Sequence, residues 1–418
     1  MFLLQTIKRK LYFPFAHYFR FFAKIQLFFW KPRIIVITGS SGKTTLLHLL
    51  ESQIQDKAEY SHQANSSFGI PFDILGLKRK TLTLEEWPKL FFLAPLKAFQ
   101  KIHNKKIYVV EADCDRVGEG RFLATLLKPE LTVWLSSTRT HCVNFPEPVK
   151  ENIAVEFGNF LKYTTKKIII NGDSSLIKKI TTSFVTLAPR NDGEKSEFVT
   201  QKGHPVEYKI QSDSTAFNIN GKIYKFNFVL PKETFYQISA VIKILGYLNI
   251  PLDDSFSKFQ PPPGRSSIFK GIKNTKIVDS SYNADLESMK VMLNVFNLYP
   301  AEKKWVVLGD LVEQGSLEKQ EHEGLIPVLS KLKLEKIILV GPRLTKYVHP
   351  KIESVSFISP AEALEYIKNN LDGNETIFFK GARFLEGIIE HLLEDKTDIS
   401  KLCRRGGVWQ KRREKWGL

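Results

Sequence analysis

Short strand-like runs alternate with apolar residues at helical spacing along most of the chain. Apolar runs of four or five residues are typical of buried strands. They lie at residues 34–37, 107–110, 131–135 and 167–170. Because strands that alternate with helices form parallel sheets with helices on both faces, this pattern predicts an α/β domain.

The pattern changes between residues 197 and 229, where the strand-like segments are short and separated by turns. The turns are indicated by Ser212-Asp213 and Asn220-Gly221. The strands are expected at residues 207–210, 216–219 and 225–229. We therefore predict a small antiparallel sheet attached to the first domain, followed by a helix at about residues 233–248.

The sequence Pro261-Pro262-Pro263-Gly264 is stiff and is the best candidate for a domain boundary. Beyond it the alternation restarts, which predicts a second, smaller α/β domain. Its strands are expected at residues 276–279, 305–308, 336–340 and 376–379, and its helices at about 285–298, 317–331, 360–370 and 383–394.

The formal charge of +17 is concentrated at the two ends of the chain. Residues 1–33 carry seven Lys/Arg and no acid, and residues 401–418 carry seven against Glu414. The ends thus supply +7 and +6 and leave +4 for the remainder. A nucleic-acid-binding domain usually spreads its basic residues over a folded face. No specific nucleic acid partner is therefore expected, and the tail at 396–418 is expected to be solvated.

The basic residues of the N-terminal segment are interleaved with eleven aromatic residues. His17, Arg20 and Lys24 fall on one helical stripe, with apolar residues around it. This pattern suits a helix at a membrane surface, drawn there by anionic headgroups. Arg20 and Lys24 argue against a membrane span. The alternative is a helix packed against the protein itself or a partner.

The three cysteines are too scattered for a disulfide framework or a zinc site, which favours a reducing, cytoplasmic setting. A monomer, peripheral at the inner face of the membrane, is expected.

A phosphate-binding loop is predicted between the first strand and the first helix that follows it. Such loops turn backbone N–H groups toward phosphate oxygens at a helix N-terminus. In this arrangement Lys43 neutralises the phosphates and the Thr44 hydroxyl binds Mg²⁺. Ile37 stands where the full P-loop pattern has a glycine. The predicted phosphate-binding residues are Gly39, Ser40, Ser41, Gly42, Lys43, Thr44 and Thr45.

This loop is the first of eight motifs that resemble, in order, those of the Mur ligase superfamily. The resemblance covers residues 34–395 and is closest to the branch that adds D-alanyl-D-alanine to a peptidoglycan precursor. After residues 38–45, the motifs are Asn65–Pro71, Val109–Ala112 with Gly118-Glu119, His141, Pro263–Arg265, Asp279–Ala284, Leu308–Gly315, and His322 with Lys380–Arg383.

The resemblance implies an ATP-dependent ligase that forms an amide bond through an acyl phosphate, with ATP and Mg²⁺ as cofactors. It implies that Lys43, Glu111, His141 and Arg265 are catalytic, and that Glu111 and His141 join Thr44 as metal ligands. It implies a P-loop NTPase-like central domain (34–260) and a Rossmann-like C-terminal domain (264–395), flanked by segments 1–33 and 396–418. The expected substrates are a nucleotide and a peptide-bearing cell-wall precursor.

The resemblance also implies roles for residues of the second domain. Arg265, Asp279, Tyr282 and Asn283 are expected near the nucleotide. Asp310, Lys380 and Arg383 are expected on the side of the amine substrate, although a solvated loop charge is the alternative for each.

Three departures from the family pattern leave other interpretations open. Only 33 residues precede the first strand, so we expect no separate uridine-binding domain. Phe157 stands at the position of the family's carbamylated lysine, where Glu156 could supply a carboxylate instead. Residues 232–235 replace the Gly-x-His-Asn element that helps to hold adenine. The alternatives are a folylpolyglutamate-synthase-like or polymer-forming ligase, and an inactive nucleotide-binding scaffold.

Overall fold

The computed structural model describes residues 2–62, 64–80, 83–139, 142–185, 196–201 and 207–418, without the side chains of residues 2–11, 84 and 185. The chain divides into two compact units. The first contains residues 1–138, 144–202 and 236–252, and the second contains 139–143, 203–235 and 253–418, as far as these are described.

The first unit is built on a six-stranded sheet in which every pair of neighbours is parallel. The strands are β1 (Arg33–Thr38), β2 (Ala58–Tyr60), β3 (Ile107–Ala112), β4 (Leu131–Trp134), β5 (Lys167–Asn171) and β6 (Glu197–Val199). Their order is β2-β3-β1-β4-β5-β6. Because β1 lies between β3 and β4, the carboxyl ends of these three strands lie side by side.

The helices of the first unit include the long N-terminal helix and those that connect the strands. They are α1 (Phe2–Trp30), α2 (Lys43–Ile54), α3 (Gly69–Ile74), α4 (Trp87–Ala98), α5 (Glu119–Leu127), α6 (Val149–Lys162), α7 (Ser175–Val185) and α8 (Thr234–Leu248). The four strands predicted for this region are confirmed. The three-residue strands β2 and β6 were not predicted, since a segment of that length shows no periodicity.

The N-terminal helix α1 packs against the first unit, chiefly against α3 and α4. Phe19 is fully buried, and its ring lies 4.7 Å from that of Phe72. Arg20, predicted to line a polar stripe, donates a hydrogen bond to Thr125 instead. The alternative of a helix packed on the protein's own body is therefore confirmed for one face of α1.

The second unit contains a small antiparallel sheet and a six-stranded sheet. The small sheet consists of β7 (Glu207–Ile210), β8 (Thr215–Ile219) and β9 (Lys222–Phe226). The larger one consists of β10 (Ser267–Gly271), β11 (Thr275–Ser280), β12 (Lys304–Gly309), β13 (Lys336–Val340), β14 (Val355–Phe357) and β15 (Thr376–Lys380). Its order is β10-β11-β15-β12-β13-β14, and only the pair β10–β11 is antiparallel.

The helices of the second unit cover the larger sheet and its C-terminal extension. They are α9 (Leu286–Leu298), α10 (Glu318–Glu323), α11 (Ile326–Leu329), α12 (Pro342–Tyr347), α13 (Pro360–Asn370), α14 (Leu385–Leu392) and α15 (Gly407–Glu414). The four strands predicted here are confirmed, whereas the single helix predicted at 317–331 is wrong. It is divided into α10 and α11 at Gly324-Leu325.

The small antiparallel sheet belongs by its contacts to the second unit, not to the first as predicted. Val229 shares a core cluster with Phe296 of α9, and the hydroxyl of Tyr299 donates a hydrogen bond to the backbone oxygen of Ser212. The third strand, β9, also lies three residues earlier than predicted, because the tight turn at Asn220-Gly221 leads directly into it.

The basic C-terminal tail is folded, so the prediction of a solvated tail is wrong. Leu402 and Cys403 are buried, and so is Arg413 of α15, whose guanidinium donates to the backbone oxygen of Arg404. The hydrophobic residues of the tail are too few to indicate this packing from sequence. Within the described ranges, no helix is both long enough and apolar enough to cross a membrane.

Candidate functional site

The predicted phosphate-binding loop lies at the carboxyl end of β1 and leads directly into α2. Gly39 and Gly42 both have positive φ, of 121° and 79°. A Cβ atom at Gly39 would lie 2.6 Å from the backbone oxygen of Ser136. A side chain at either position would therefore strain the loop. Helix α2 begins directly after this loop, and its first residues are Lys43, Thr44 and Thr45.

Lys43 is held beneath the loop by contacts with its backbone and with an acid. Its Nζ donates to the backbone oxygen of Gly39 at 2.5 Å and lies 2.9 Å from Oδ2 of Asp113, just beyond β3. Lys43 is 6% exposed, so its charge needs a buried anionic partner. Sequence reasoning missed Asp113, although it follows a buried strand at the same edge of the sheet.

A second polar segment, residues 136–138, follows β4 and borders the loop. The Ser136 hydroxyl accepts from the N–H of Ser41 at 2.8 Å, and Ser40 Oγ accepts from the N–H of Thr138 at 2.8 Å. Ser40 and Ser41 are thereby fixed. This segment was also missed, although a polar run after a buried strand is a recognisable feature.

Three buried side-chain oxygens in this part of the first unit have no hydrogen-bond partner among the described residues. They belong to Ser137, Thr138 and Gln237. Gln237 lies on α8 against the loop, since a Cβ atom at Gly42 would collide with its amide nitrogen. Unsatisfied buried polar atoms are costly and call for a partner. Their presence beside a glycine loop at a helix N-terminus fits a phosphate-bearing ligand.

The structure describes two of the three predicted metal ligands, Glu111 and Thr44. Glu111 is half-buried near the end of β3, beside Ile37 of β1, and its N–H donates to the Ser61 hydroxyl. Thr44 is half-buried in the first turn of α2. His141 lies outside the described residues. The carboxylate of Glu111 and the hydroxyl of Thr44 are oxygen donors, which Mg²⁺ prefers, so the described donors fit this ion.

Glu156 does not serve as a substitute for the absent lysine. Its two carboxylate oxygens accept hydrogen bonds from the N–H groups of Gly118 and Gly120, each at 2.8 Å, at the N-terminus of α5. Burial raises the pKa of Glu156, and these hydrogen bonds oppose that rise. Phe157 is fully buried beside Trp134. The prediction of Glu156 as a metal-binding carboxylate is therefore wrong, because its oxygens cap a helix.

Glu119 of the same motif is a fully buried structural carboxylate. It accepts hydrogen bonds from the N–H of Ser67, the N–H of Asp115 and the hydroxyl of Tyr12 in α1. Burial, followed by the charge of Glu119, raises the pKa of Tyr12. One side chain thus joins α1, the segment before α3 and the start of α5.

In the second unit, the predicted nucleotide-side residues surround the turn after β11. The N–H of Tyr282 donates to the backbone oxygen of Gly264 at 3.2 Å, and the guanidinium of Arg265 lies 4.9 Å from the centre of the Tyr282 ring. Lys380, at the end of β15, donates to the backbone oxygen of Asn283 at 3.1 Å. Burial lowers the pKa of Lys380 to about 8. Arg265, Tyr282, Asn283 and Lys380 therefore form one cluster.

Asp279 is fully buried at the end of β11. Its Oδ1 accepts from the N–H of Ser281 at 2.9 Å, whereas Oδ2 has no partner among the described residues. Burial raises its pKa to about 6. Asp279 therefore shapes the turn that carries Tyr282 and Asn283.

Asp310 and Arg383 form a second cluster, at the ends of β12 and β15. Arg383 donates to Oδ2 of Asp310 through Nε at 2.9 Å and through Nη2 at 2.7 Å. Asp310 is fully buried and also accepts from the N–H groups of Arg343 and Leu344. Neither residue is a solvated loop charge.

His322 supports the same loop. Its Nε2 accepts from the N–H of Leu311 at 3.1 Å, so its Nδ1 carries the proton and donates to the backbone oxygen of Glu318. Burial lowers the pKa of His322, which keeps the ring neutral. His322 therefore fixes the chain next to Asp310.

The C-terminal tail contacts both clusters of the second unit, which the sequence did not indicate. Arg404 donates to the backbone oxygens of Ser281 and Tyr282 and to the buried carboxylate of Glu386. The guanidinium of Arg383 lies 5.7 Å from the centre of the Trp416 ring.

One further group could hold a metal ion. His48 and Glu51 on α2 and His62 beyond β2 bring their ligand atoms within 4.8 Å of one another. Two imidazoles and a carboxylate suit a borderline ion such as Zn²⁺ better than Mg²⁺. The Mg²⁺ donors predicted above are other residues.

Two family models match most of the chain. The Mur ligase middle domain matches residues 37–244, and the glutamate ligase domain of the Mur ligases matches residues 264–383.

Curated relatives and a solved structure agree with these matches. The chain is 24% identical to the UDP-N-acetylmuramoyl-tripeptide–D-alanyl-D-alanine ligase of Rickettsia prowazekii, over 84% of this chain and 76% of the relative. It is 25% identical to the same enzyme of Bacillus subtilis, over 87% and 76%. The MurF ligase of Thermotoga maritima in complex with ADP superposes with a TM-score of 0.73 at 19% identity, covering 92% of this chain and 84% of that one, which supports the fold.

Proposed function

Because the chain belongs to the Mur ligase family of ATP-dependent amide-bond-forming enzymes, we propose that it adds D-alanyl-D-alanine to a muramoyl-peptide precursor of peptidoglycan. The names of the curated relatives support this choice of substrates. A role in cell-wall synthesis, and through it in cell shape and division, is part of the proposal.

The phosphate loop of the first unit is the observation that best supports this proposal. Its glycines, the buried Lys43 and the unsatisfied oxygens of Ser137, Thr138 and Gln237 together suit a polyphosphate. Gly39 to Thr45 would surround the phosphates with N–H groups, as helix N-termini do for anions. Lys43 would exchange its contact with Asp113 for one with the phosphate oxygens.

The proposed reaction has two steps. A carboxylate oxygen of the peptide precursor attacks the γ-phosphorus of ATP, and ADP leaves. The amine nitrogen of D-alanyl-D-alanine then attacks the carbonyl carbon of the acyl phosphate, and phosphate leaves as the nitrogen loses a proton. Both steps gather negative charge around the transferred phosphate, so cations fixed in advance are the main catalytic device.

In this scheme Lys43 of the first unit and Arg265 of the second supply two of these cations. Mg²⁺, held by Thr44, Glu111 and His141, would neutralise phosphate oxygens. Tyr282 and Asn283 would contact the nucleotide, with Asp279 shaping their turn. Lys380 would fix this turn, and the paired Asp310 and Arg383 would face the amine substrate.

The domain division 34–260 and 264–395 is part of the proposal as a division of the family's sequence pattern. It differs from the two contact-based units, which assign the small antiparallel sheet to the second unit. A monomeric state, a cytoplasmic location and the absence of a specific nucleic acid partner are also part of the proposal. The basic and aromatic composition of residues 1–31 supports a peripheral contact with the inner face of the membrane.

The test is release of phosphate from ATP in the presence of Mg²⁺ and bicarbonate. UDP-N-acetylmuramoyl-tripeptide and D-alanyl-D-alanine are each omitted in turn, and Lys43→Ala is the negative control. We expect phosphate release only when both substrates are present, with a ligated product of matching mass.

Two other outcomes identify the alternatives. ATP binding without stimulation by this pair would exclude the proposed substrates and direct the search to glutamyl or other amine acceptors. ATP binding without turnover for any acceptor would favour the inactive scaffold.

A further inference from the structure

We propose that α1 and α4 together form a docking surface for a bilayer that contains anionic lipid. The surface, called here the α1–α4 ridge, consists of exposed side chains on both helices and on the residue that follows α4. They are Phe21, Phe28, Phe29, Phe92, Leu96 and Phe99. The inference deepens the membrane contact proposed for residues 1–31 by adding α4, and it is independent of the ligated substrates.

The two faces of α1 differ in their surroundings. One face carries Ala16, Phe19 and Ala23, which are fully buried against the first unit. The opposite face carries Phe21 and Phe28, which are 60% and 68% exposed. The helix is therefore fixed to the protein along one side and presents aromatic side chains along the other.

Helix α4 runs parallel to α1 and continues this exposed face. The Tyr18 hydroxyl donates to the backbone oxygen of Phe91, and the Gln26 amide donates to that of Gln100, so both helices advance in the same direction. The rings of Phe29 and Phe99 lie 6.2 Å apart, with exposures of 60% and 67%. The exposed side chains of the two helices thus meet where Phe29 lies beside Phe99.

Exposed apolar side chains are concentrated in this small part of the molecule. Of the fifteen large hydrophobic residues exposed within the described ranges, seven lie on α1, on α4 or directly after α4. Single exposed apolar residues are normal on soluble proteins. A contiguous group marks an interaction surface.

The charges around the ridge indicate the partner. Residues 2–33 contain seven Lys/Arg and residues 87–106 contain five, and neither segment contains an acid. Lys24 and Lys31 on the α1 side and Lys89 and Lys101 on the α4 side are exposed. Aromatic side chains among lysines match the interface of an anionic bilayer, where rings enter the headgroup layer and lysines pair with phosphates.

Other partners fit this surface less well. A second copy of the chain would bring two basic surfaces together, and like charges oppose such contacts. A nucleic acid duplex would pair with the lysines, but its bases are already stacked on one another, so the Phe28, Phe29 and Phe99 rings would have no apolar partner. An anionic bilayer satisfies both features at once.

The experiment measures co-sedimentation of the full chain with vesicles. Vesicles of phosphatidylcholine alone are compared with vesicles that also contain phosphatidylglycerol. We expect binding to the anionic vesicles and little to the neutral ones. Binding should weaken at about 0.5 M NaCl, where the screening length falls to about 4 Å.

Variants separate the apolar from the electrostatic contribution. The triple substitution Phe28→Ser, Phe29→Ser and Phe99→Ser should lower the vesicle partition coefficient about tenfold or more. Lys24→Glu with Lys31→Glu should also lower it and reduce its salt dependence. The matched control is Ile223→Ser with Leu298→Ser, which replaces equally exposed residues of the second unit and should bind as the original protein does.

Folding is checked by thermal unfolding and by ATP binding, which these variants should retain. The proposal is overturned if the triple variant binds anionic vesicles as well as the control does, or if neutral vesicles bind equally well. It is also overturned if the protein binds no vesicles. If the triple substitution then converts a dimer into a monomer, the ridge is an interface between copies.

Discussion

Lys43 and Asp113 form an ion pair of 2.9 Å across the edge of the first sheet, where α2 begins and β3 ends. Asp113 supplies Lys43 with the negative charge that phosphate oxygens would supply in a nucleotide complex. The pair therefore stabilises the loop in the absence of ATP.

Replacing Asp113 with Asn should destabilise the nucleotide-free protein more than the ATP-bound protein. Without its anionic partner the buried ammonium costs about 2 kcal/mol or more, and bound phosphates would offset that cost. The increase in Tm on addition of Mg·ATP should thus be larger for Asp113→Asn than for the original protein. The control is Asp56→Asn at an exposed position. Equal increases in both proteins would contradict the exchange of partners.

Replacing Glu156 with Gln tests its role as a helix cap. Gly118 and Gly120 donate to different oxygens of Glu156, and Gln replaces one of these oxygens with an NH₂ group that cannot accept. The free energy of unfolding should therefore fall by about 1–2 kcal/mol. The Mg²⁺ concentration needed for half-maximal phosphate release should not change, whereas Glu111→Gln should raise it. Glu151→Gln, on the exposed side of α6, is the control. A raised Mg²⁺ requirement in Glu156→Gln would restore it as a metal ligand.

Asp279 should make the stability of the second unit depend on pH. Its pKa is about 6 in the folded chain because it is buried, against an ordinary value of 3.8. From about pH 4 to pH 6 the unfolded chain loses this proton while the folded chain keeps it, so stability falls as pH rises, by at most about 3 kcal/mol. Asp279→Asn cannot ionise and should gain stability relative to the original protein from pH 4 to pH 7. Urea unfolding measures this difference, and a constant difference would be evidence against it.

Arg404 should act as a positioning residue for the turn that carries Tyr282. Arg404→Ala removes hydrogen bonds to two of the turn's carbonyl groups, so we expect the KM for ATP to rise about tenfold with a smaller change in kcat. Stability should also fall, because Glu386 loses its partner. Arg404→Lys should retain part of the ATP affinity. The control is Arg412→Ala, which removes an exposed arginine stacked on Trp409. A loss of stability with an unchanged KM would leave Arg404 a purely structural residue.

The sequence predicted the strands and helices that carry long apolar patterns, and it placed the phosphate loop at a strand end, as in the structure. It did not predict β2, β6 or β14, since three residues are too few to show a period, and it also missed the five-residue strand β10. It also missed Asp113, Gln237 and the segment 136–138. Asp113 and residues 136–138 each follow a buried strand, but only the order of the strands shows that they meet at the loop. Gln237 reaches the loop from α8, which no local pattern indicates.

The positions of charged side chains were harder to predict than the elements that carry them. Glu156 was an alternative source of a metal-binding carboxylate but caps a helix, because its role depends on which backbone N–H groups lie nearby. The tail was expected to be solvated, because the sequence does not show which groups its arginines contact. Its arginines find carbonyl and carboxylate partners, on Tyr282 and Glu386, that are more than a hundred residues away and eighteen residues away respectively.

The hydrogen bond from Tyr12 to Glu119 means that α1 is part of the folded first unit. Glu119 also accepts from Ser67 and Asp115, so deleting α1 would leave an oxygen of a buried carboxylate without its hydroxyl partner. It would also uncover the pocket filled by Phe19. Removal of α1 is therefore expected to destabilise the first unit itself, and not only to abolish a surface contact.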